Sequence, residues 1–317
     1  MKLWPSVVTI TILLVLLIAL PLLSACAAEE EVVTEEEVEF EIVQDAVAEY
    51  LPNKAGNMKA EDLHMRIAED DAPYIVSLRS AEDYAKGHIP GAVNKKFGEL
   101  TTLPEDEEIL VYCYTGQSGS FGAAVLGILG YDVQNLRHGM SSWSDDPAVY
   151  VSRFDASVHQ GDYDVETTAN SGGNYDYPEL DNTASSDEDD IVAAAAAAVS
   201  PKYITAADMK MKIAEDEDMT IVSVRSAEQY AAGHVPGAIN IGLAALADNL
   251  NKIDPDLPVY VYCYTGHSAA QATALLQMLG YDAYSLKFGM CSWSSDPAIN
   301  AGSCFDASTV GGYETEK

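Results

Sequence analysis

Two cysteines carry the chemistry that can be read from this chain. Val111-Tyr112-Cys113-Tyr114-Thr115-Gly116 recurs as Val261-Tyr262-Cys263-Tyr264-Thr265-Gly266, so each cysteine ends an apolar run and opens a glycine-bearing loop. A cysteine between the end of a strand and the start of a helix faces free loop N–H groups, and such a nest of amides stabilises an anion. The thiolate, not the thiol, is the nucleophile. Cys113 and Cys263 are therefore the candidate catalytic residues. Tyr114, Thr115, Gly116, Gln117 and Ser118 form the cradle for a bound anion in the first copy, and Tyr264, Thr265, Gly266, His267 and Ser268 form it in the second. Gly116 and Gly266 let the backbone curl with positive φ. The hydroxyls of Thr115, Ser118, Thr265 and Ser268 are predicted to aim at the same point. An inert buried cysteine is the plain alternative for any single copy, and two copies with the loop preserved weigh against it.

The elements that must position these loops are also duplicated. Ile75 to Glu82 matches Ile221 to Glu228, Gly87-His88-Ile89-Pro90-Gly91-Ala92 matches Gly233-His234-Val235-Pro236-Gly237-Ala238, and Gly139 to Trp143 matches Gly289 to Trp293. The offset is 146 positions at Arg79 and Arg225 and 150 at the cysteines, the length of a whole domain and too long for a solenoid repeat. In each copy the periodicity predicts a leading helix (Ile42 to Leu51; Ile191 to Val199) and a second helix (Ala60 to Glu69; Ala206 to Glu215). A buried strand comes next (Tyr74 to Leu78; Thr220 to Val224), then a helical turn capped by Ser80 or Ser226. A further strand (Glu108 to Tyr112; Pro258 to Tyr262) leads into the cysteine. The helix after it (Ser118 to Leu129; Ser268 to Leu279) stops at Gly130 or Gly280. Short apolar strands alternating with helices give an α/β fold with a mainly parallel central sheet, and ligands in such sheets bind outside the carboxyl ends of strands.

The set Arg79, Glu82, Tyr84, Gly87 to Ala92, Cys113 to Ser118 and Trp143, with its second copy, closely resembles the rhodanese (sulfurtransferase) domain over most of both repeats. The resemblance implies two tandem rhodanese-like domains, each a mainly parallel sheet flanked by helices. It also implies a persulfide mechanism that needs no cofactor. The cysteine takes the outer sulfur of thiosulfate, polysulfide or another small sulfur-containing donor and passes it to a thiol or cyanide acceptor, which can be a protein. Loops of that family often carry an arginine, whereas only His267 could be cationic here, so tight binding of an anionic donor is not expected. Arg79 and Arg225 are read as structural supports paired with Glu82 and Glu228 one turn on. His88 and His234 are read as hydrogen-bonded turn residues, and Trp143 and Trp293 as core aromatics. Related phosphatases place an arginine six positions after the cysteine. Gly119 and Ala269 stand there, so phosphatase activity is excluded.

Lys2, the apolar run from Val7 to Leu23 and the closing Leu23-Ser24-Ala25-Cys26 have the three regions of a secretory signal and resemble the lipobox of bacterial lipoproteins. On that resemblance Cys26 is lipidated, and the protein is held at a membrane of the cell envelope by its lipid anchor only. A formal charge of −33 excludes nucleic acid as a partner. The stretch between Arg153 and Lys202 lacks lysine and arginine altogether, and its Gly, Ser and Asp content reads as a linker. The expected organisation is a signal peptide over 1–25, an acidic tether over 26–37, domain one over 38–158, an acidic linker over 159–190 and domain two over 191–317. Cys291 and Cys304 replace Ser141 and Arg153 of the first copy. In an exported protein they point to a disulfide contributing roughly 3 kcal/mol, with a resolving thiol or two free cysteines as alternatives. No zinc spacing is present. The expected function is sulfur transfer outside the cytoplasm, against the alternative of a non-catalytic sulfur-binding or partner-binding surface module.

Overall fold

The first repeat buries its short apolar runs by pairing them in one five-stranded sheet. In the computed structural model, which describes residues 35–317, this repeat comprises α1 (Glu35–Tyr50), β1 (Gly56–Met58), α2 (Ala60–Ala68), β2 (Tyr74–Ser77), α3 (Ala81–Lys86) and β3 (Val93–Asn94). It continues through β4 (Ile109–Tyr112), α4 (Gln117–Ile128), β5 (Val133–Leu136) and three short helices, α5 (Met140–Trp143), α6 (Pro147–Tyr150) and α7 (Ala156–His159). The second repeat runs α8 (Glu188–Ala197), β6 (Tyr203–Ile204), α9 (Ala206–Ala214), β7 (Thr220–Ser223), α10 (Ala227–Ala232), β8 (Ile239–Asn240), β9 (Val259–Tyr262), α11 (His267–Met278), β10 (Ala283–Leu286), α12 (Met290–Trp293) and α13 (Pro297–Asn300). Each sheet is wholly parallel, in the orders β1-β5-β4-β2-β3 and β6-β10-β9-β7-β8, so β4 and β9, the strands that end in the cysteines, are central. All four residues of each are buried, as parallel strands covered on both faces require. The signal segment and Cys26 lie outside the described residues.

The predicted helices and inner strands are present, most with ends moved by one or two residues, while the leading helices α1 and α8 begin seven and three residues earlier than expected, and Ser80 and Ser226 cap α3 and α10 through the Asp83 and Gln229 N–H groups. The edge strands β1, β3, β6 and β8 have two or three residues each, too short to leave an alternating pattern.

Two features bind the repeats to one another. The first is a core shared between them, in which Phe40, Val43 and Val47 of α1 and Phe121 and Ala124 of α4 pack with Ile191 and Ala195 of α8 and Leu275 and Leu276 of α11. The second is an exchange of segments. Within the stretch expected as a linker, Gly161, Tyr163 and Glu166 bond to Ser292, Trp293 and His234 of the second repeat, and the Trp293 indole donates to Asp164 O at 2.9 Å. Reciprocally, Gly311, Tyr313 and Glu316 bond to Ser142, Trp143 and His88 of the first, and the Trp143 indole donates to Glu314 O at 2.9 Å. Each repeat is thus completed by the segment that comes after the other.

Cys291 and Cys304 form a disulfide with a Cα–Cα separation of 5.4 Å, fastening α12 to the chain after α13. Arg153 does the same work in the first repeat without a covalent bond, donating to Ser141 O at 3.1 Å and Ser144 O at 3.0 Å.

Deleting residues 311–317 is expected to leave the Trp143 indole and the His88 backbone without partners at a cost of at least about 2 kcal/mol. In a Trp4→Phe/Trp293→Phe background, which leaves Trp143 as the single tryptophan, the expected result is a red shift of its fluorescence with a lower denaturation midpoint. An unchanged spectrum and midpoint would refute the exchanged arrangement.

Candidate active site

Cys113 and Cys263 are almost fully buried, 3% and 4% exposed, at the carboxyl ends of β4 and β9. Each cysteine loop directs its first two carbonyls toward the short helix beyond the next strand. Met140 and Ser141 donate to Cys113 O and Tyr114 O at 2.9 and 3.0 Å, and Met290 and Cys291 repeat both bonds to Cys263 O and Tyr264 O. In a trans peptide N–H lies opposite C=O, so the succeeding amides point to the other side of the loop. Gly116 and Gly266 then take φ of +80° and +89° as N-caps of α4 and α11. Ser120 and Ala270 are the first helical N–H groups to bond back, at 3.0 Å to Gly116 O and Gly266 O. The N–H groups of Gln117, Ser118 and Gly119, and of His267, Ser268 and Ala269, therefore take no acceptor among the described residues, the usual condition of a helix's first turn. Gly266 N–H donates to Cys263 Sγ at 3.2 Å, whereas the corresponding bond to Cys113 is not formed.

The side chains of the two cradles behave differently from expectation. Gln117 Oε1 accepts from Phe288 N at 2.9 Å, and its amide nitrogen donates to Thr115 Oγ1 at 3.1 Å. His267 mirrors it, with Nε2 accepting from His138 N at 3.2 Å and Nδ1 paired with Thr265 Oγ1 at 2.7 Å. Both residues were expected to bind the donor. Their side chains are instead buried straps that tie each loop to the other repeat, with the side-chain polar atoms already used, so that only their backbone N–H groups stay in the cradle. The threonine hydroxyls hold the straps, and Ser118 Oγ meets the Tyr203 hydroxyl of the second repeat at 2.9 Å. Tyr114 also leaves the cradle, its hydroxyl bonding Asp83 Oδ2 at 2.6 Å and Ser80 N at 3.1 Å.

His267 therefore supplies no positive charge. Burial, and then the positive charge of Arg137, lower its pKa from 6.5 to about 4. Burial, with the neighbouring His267 and Arg137, lowers that of His138 to about 2. A neutral ring is what the geometry needs, because Nε2 must accept from His138 N. Between the loops, Thr115, His138, Ser141 and Phe154 face Thr265, Phe288, Cys291 and Phe305 across a cleft of about 10 Å³, room for one water.

The expected pairing of Arg79 with Glu82 and of Arg225 with Glu228 is not formed. Arg79 donates to Asp83 O, Gly87 O and Val149 O at 2.6 to 2.8 Å, and Arg225 to Gly233 O and Ile299 O at 2.7 and 3.0 Å. Each guanidinium sits at the carbonyl ends of two short helices, where their partial negative charge favours a cation. Glu82 pairs with Lys86 at 3.4 Å on the surface, and Glu228 is exposed. His88 and His234 hydrogen-bond Tyr84 O and Tyr230 O and stack on those same tyrosine rings at 3.8 and 3.7 Å.

An α/β domain with a cysteine at the end of its central strand and unpaired amides beyond it is thus present twice. A family model described as "Rhodanese-like domain" matches residues 59–146 and 205–296, more than half of the chain, and the protein belongs to that family. It is 38% identical over 79 residues to "Thiosulfate sulfurtransferase GlpE" of Pseudomonas fluorescens, covering 25% of this chain and 72% of that one. It is 38% identical over 92 residues to "HTH-type transcriptional regulator Rv0324" of Mycobacterium tuberculosis, covering 28% of this chain and spanning 40% of the regulator's length. A solved rhodanese-like domain protein of Staphylococcus aureus is 34% identical, covering 29% of this chain and 90% of its own, with a TM-score of 0.28.

His138, Phe288 and Tyr203 are parts of the site that sequence reasoning missed. The signal available for two of them was position, since His138 and Phe288 stand at matching places directly before the paired Gly139-Met140 and Gly289-Met290.

The straps set a pH dependence with a definite sign. Between pH 6.5 and 4 the unfolded chain binds a proton at His267 that the folded chain does not, so stability falls as pH falls through this window. From pH 7 to 5 this histidine alone is expected to account for about 2 kcal/mol. Glutamine at this position would copy Gln117 without titrating. Denaturant unfolding of His267→Gln at the two pH values should show a drop smaller by about that amount, and an equal drop in both proteins would refute the role given to the ring.

Proposed function

We propose that this protein is a sulfurtransferase that carries sulfane sulfur as a persulfide on Cys113 and Cys263, outside the cytoplasm and anchored through Cys26. The observation that carries the reading is a buried cysteine leading into a helix turn whose N–H groups take no acceptor among the described residues, built twice, with Gly266 N–H on the Cys263 sulfur in one copy. Family membership and relatives named thiosulfate sulfurtransferase support it.

In the first step the cysteine thiolate attacks the outer sulfur of the donor. A Cys–S bond to that atom forms, the donor's S–S bond breaks, and its electron pair leaves with sulfite or with the shortened polysulfide. The terminal persulfide sulfur then carries the negative charge, and the first-turn amides of α4 or α11 are the donors available to it. In the second step a thiolate or cyanide attacks that terminal sulfur, the persulfide S–S bond breaks, and its electron pair returns to the cysteine. The proton count is unchanged when donor and acceptor both react as anions.

Donor choice is set by charge. The straps hold no positive charge and Arg79 and Arg225 are engaged with carbonyls, so backbone dipoles are the main attraction for an anion. The chain's charge of −33 repels a dianion more than a monoanion. Hydropolysulfide, with one charge, is favoured over thiosulfate, with two.

Intact-mass measurement after incubation with either donor tests this reading. A gain of one sulfur atom per domain is expected, faster with polysulfide by about tenfold, and absent in a Cys113→Ser/Cys263→Ser double variant. No gain with either donor would leave the non-catalytic binding module as the reading.

A further inference from the structure

The two cysteine sites are not chemically equal, and the difference comes from across the repeat boundary. β6 lies at the edge of the second sheet, with Tyr203 paired to Ser285 of β10. Its side chain extends onto α4 of the first repeat, edge-on to Phe121 at 5.6 Å, and its hydroxyl reaches Ser118 Oγ at 2.9 Å. Ser118 is the second residue of α4, in the turn whose amides serve Cys113. The position matching Tyr203 in the first repeat is Asn57, paired to Asn135 of β5. Its Oδ1 accepts from Asn135 Nδ2 at 2.7 Å within its own sheet, and among the described residues no hydrogen bond reaches Ser268 Oγ. One cradle is therefore completed by a phenol from the other repeat and one is not.

We infer that Tyr203 is a positioning residue for the Cys113 site, orienting the Ser118 hydroxyl as a donor to the anion held on that sulfur. The inference rests on the reading of Cys113 as an anionic sulfur carrier. A phenol is a stronger hydrogen-bond donor than an aliphatic alcohol, so the favoured direction is Tyr203 O–H to Ser118 Oγ. That direction leaves the serine proton free to point into the cradle, and a chain of two hydroxyls polarises each bond along it. Burial and the nearby Cys113 sulfur raise the pKa of the phenol, so it stays protonated and remains a donor. Cys113, whose sulfur lacks the Gly266-type amide bond, is the site this chain of two hydroxyls is inferred to serve.

Tyr203→Phe in the full chain keeps the ring and its contact with Phe121 and removes only the hydroxyl. The readout is the rate of iodoacetamide alkylation at one pH, resolved by peptide mass spectrometry into Cys113 and Cys263, so that Cys263 reports on folding in the same molecule. Alkylation of Cys113 is expected to slow about tenfold and that of Cys263 to change less than about twofold, the loss of one hydrogen bond to a charged group. Ser118→Ala should give the same selective loss, and the Tyr203→Phe/Ser118→Ala double variant no more than Ser118→Ala alone, because the two hydroxyls act as a unit. An unchanged Cys113 rate, an equal fall at both cysteines, or additive losses would overturn the inference. Sulfur uptake is measured in parallel. A selective alkylation change with no uptake at either cysteine would leave Tyr203's role standing and remove the transferase reading.

Discussion

The reciprocal strap between the two cysteine loops is the constraint on which the rest of the arrangement depends. Gln117 crosses to Phe288 N and His267 crosses to His138 N, so α4 and α11 begin where each loop is held by the other repeat. The crossing requires glycine beneath it. A β-carbon on Gly116 would fall 2.5 Å from His267 Nε2, and one on Gly266 would strike Gln117 Oε1. Glycine is thus demanded twice over at each loop, once by positive φ and once by the partner's side chain. Because the straps are buried, a broken one leaves an amide N–H without water or protein to accept it, a larger penalty than the bond itself is worth. The shared core and the exchanged segments bring α4 and α11 together, and the straps fix their register.

That constraint also explains why no cation stands in the cradle. The first residue of each helix, Gln117 or His267, is the one that must reach across the boundary. A charged side chain there would have to shed its hydration in a buried interface with only a backbone N–H to meet it, and an N–H repels a cation. Neutral acceptors are the side chains that satisfy the site, and glutamine and neutral histidine are both of this kind. Anion recognition falls mainly to main-chain amides, which are fixed by the helix and carry no net charge to desolvate, with neutral hydroxyls as the side-chain donors that remain.

How much of this was legible in the sequence depended on the range of the interaction. The strand, cysteine, glycine loop and helix are contiguous, and each obeys local rules of burial, φ and capping, so the fold class and the place of both cysteines at strand ends could be read directly. Gln117 and His267 were visible as loop residues, but their partners are 171 and 129 positions away, and spacing along one helix carries no information about such a contact. Arg79 failed for a related reason. Its acidic neighbour three positions on satisfied a helical pairing rule, yet Arg79 precedes the helix, and the fold offers it the carbonyl ends of α3 and α6, with Val149 70 positions distant. The first exchanged segment was taken for a linker because its polarity and glycine content are those of solvated chain, and the second was counted with the repeat it follows. Their contribution is backbone hydrogen bonds, to which composition is blind.

A pair of interlocked copies can drift apart chemically only where a substitution touches one site and not its mirror. The straps themselves are nearly equivalent, glutamine on one side and histidine on the other, because both must accept the same kind of N–H. The fastening of the helix after each loop is solved by Arg153 on carbonyls in one copy and by a disulfide in the other, two solutions to the same mechanical need. Tyr203 and Asn57 are different in kind, since the first sends a hydroxyl to the opposite cradle and the second keeps its polar contact at home. A strap residue unable to accept an N–H would open the interface, so the straps differ only between two neutral acceptors. A change at the sheet edge alters the donors around one sulfur while leaving both loops in place, and it is at this position that the two halves of the molecule are free to differ in reactivity.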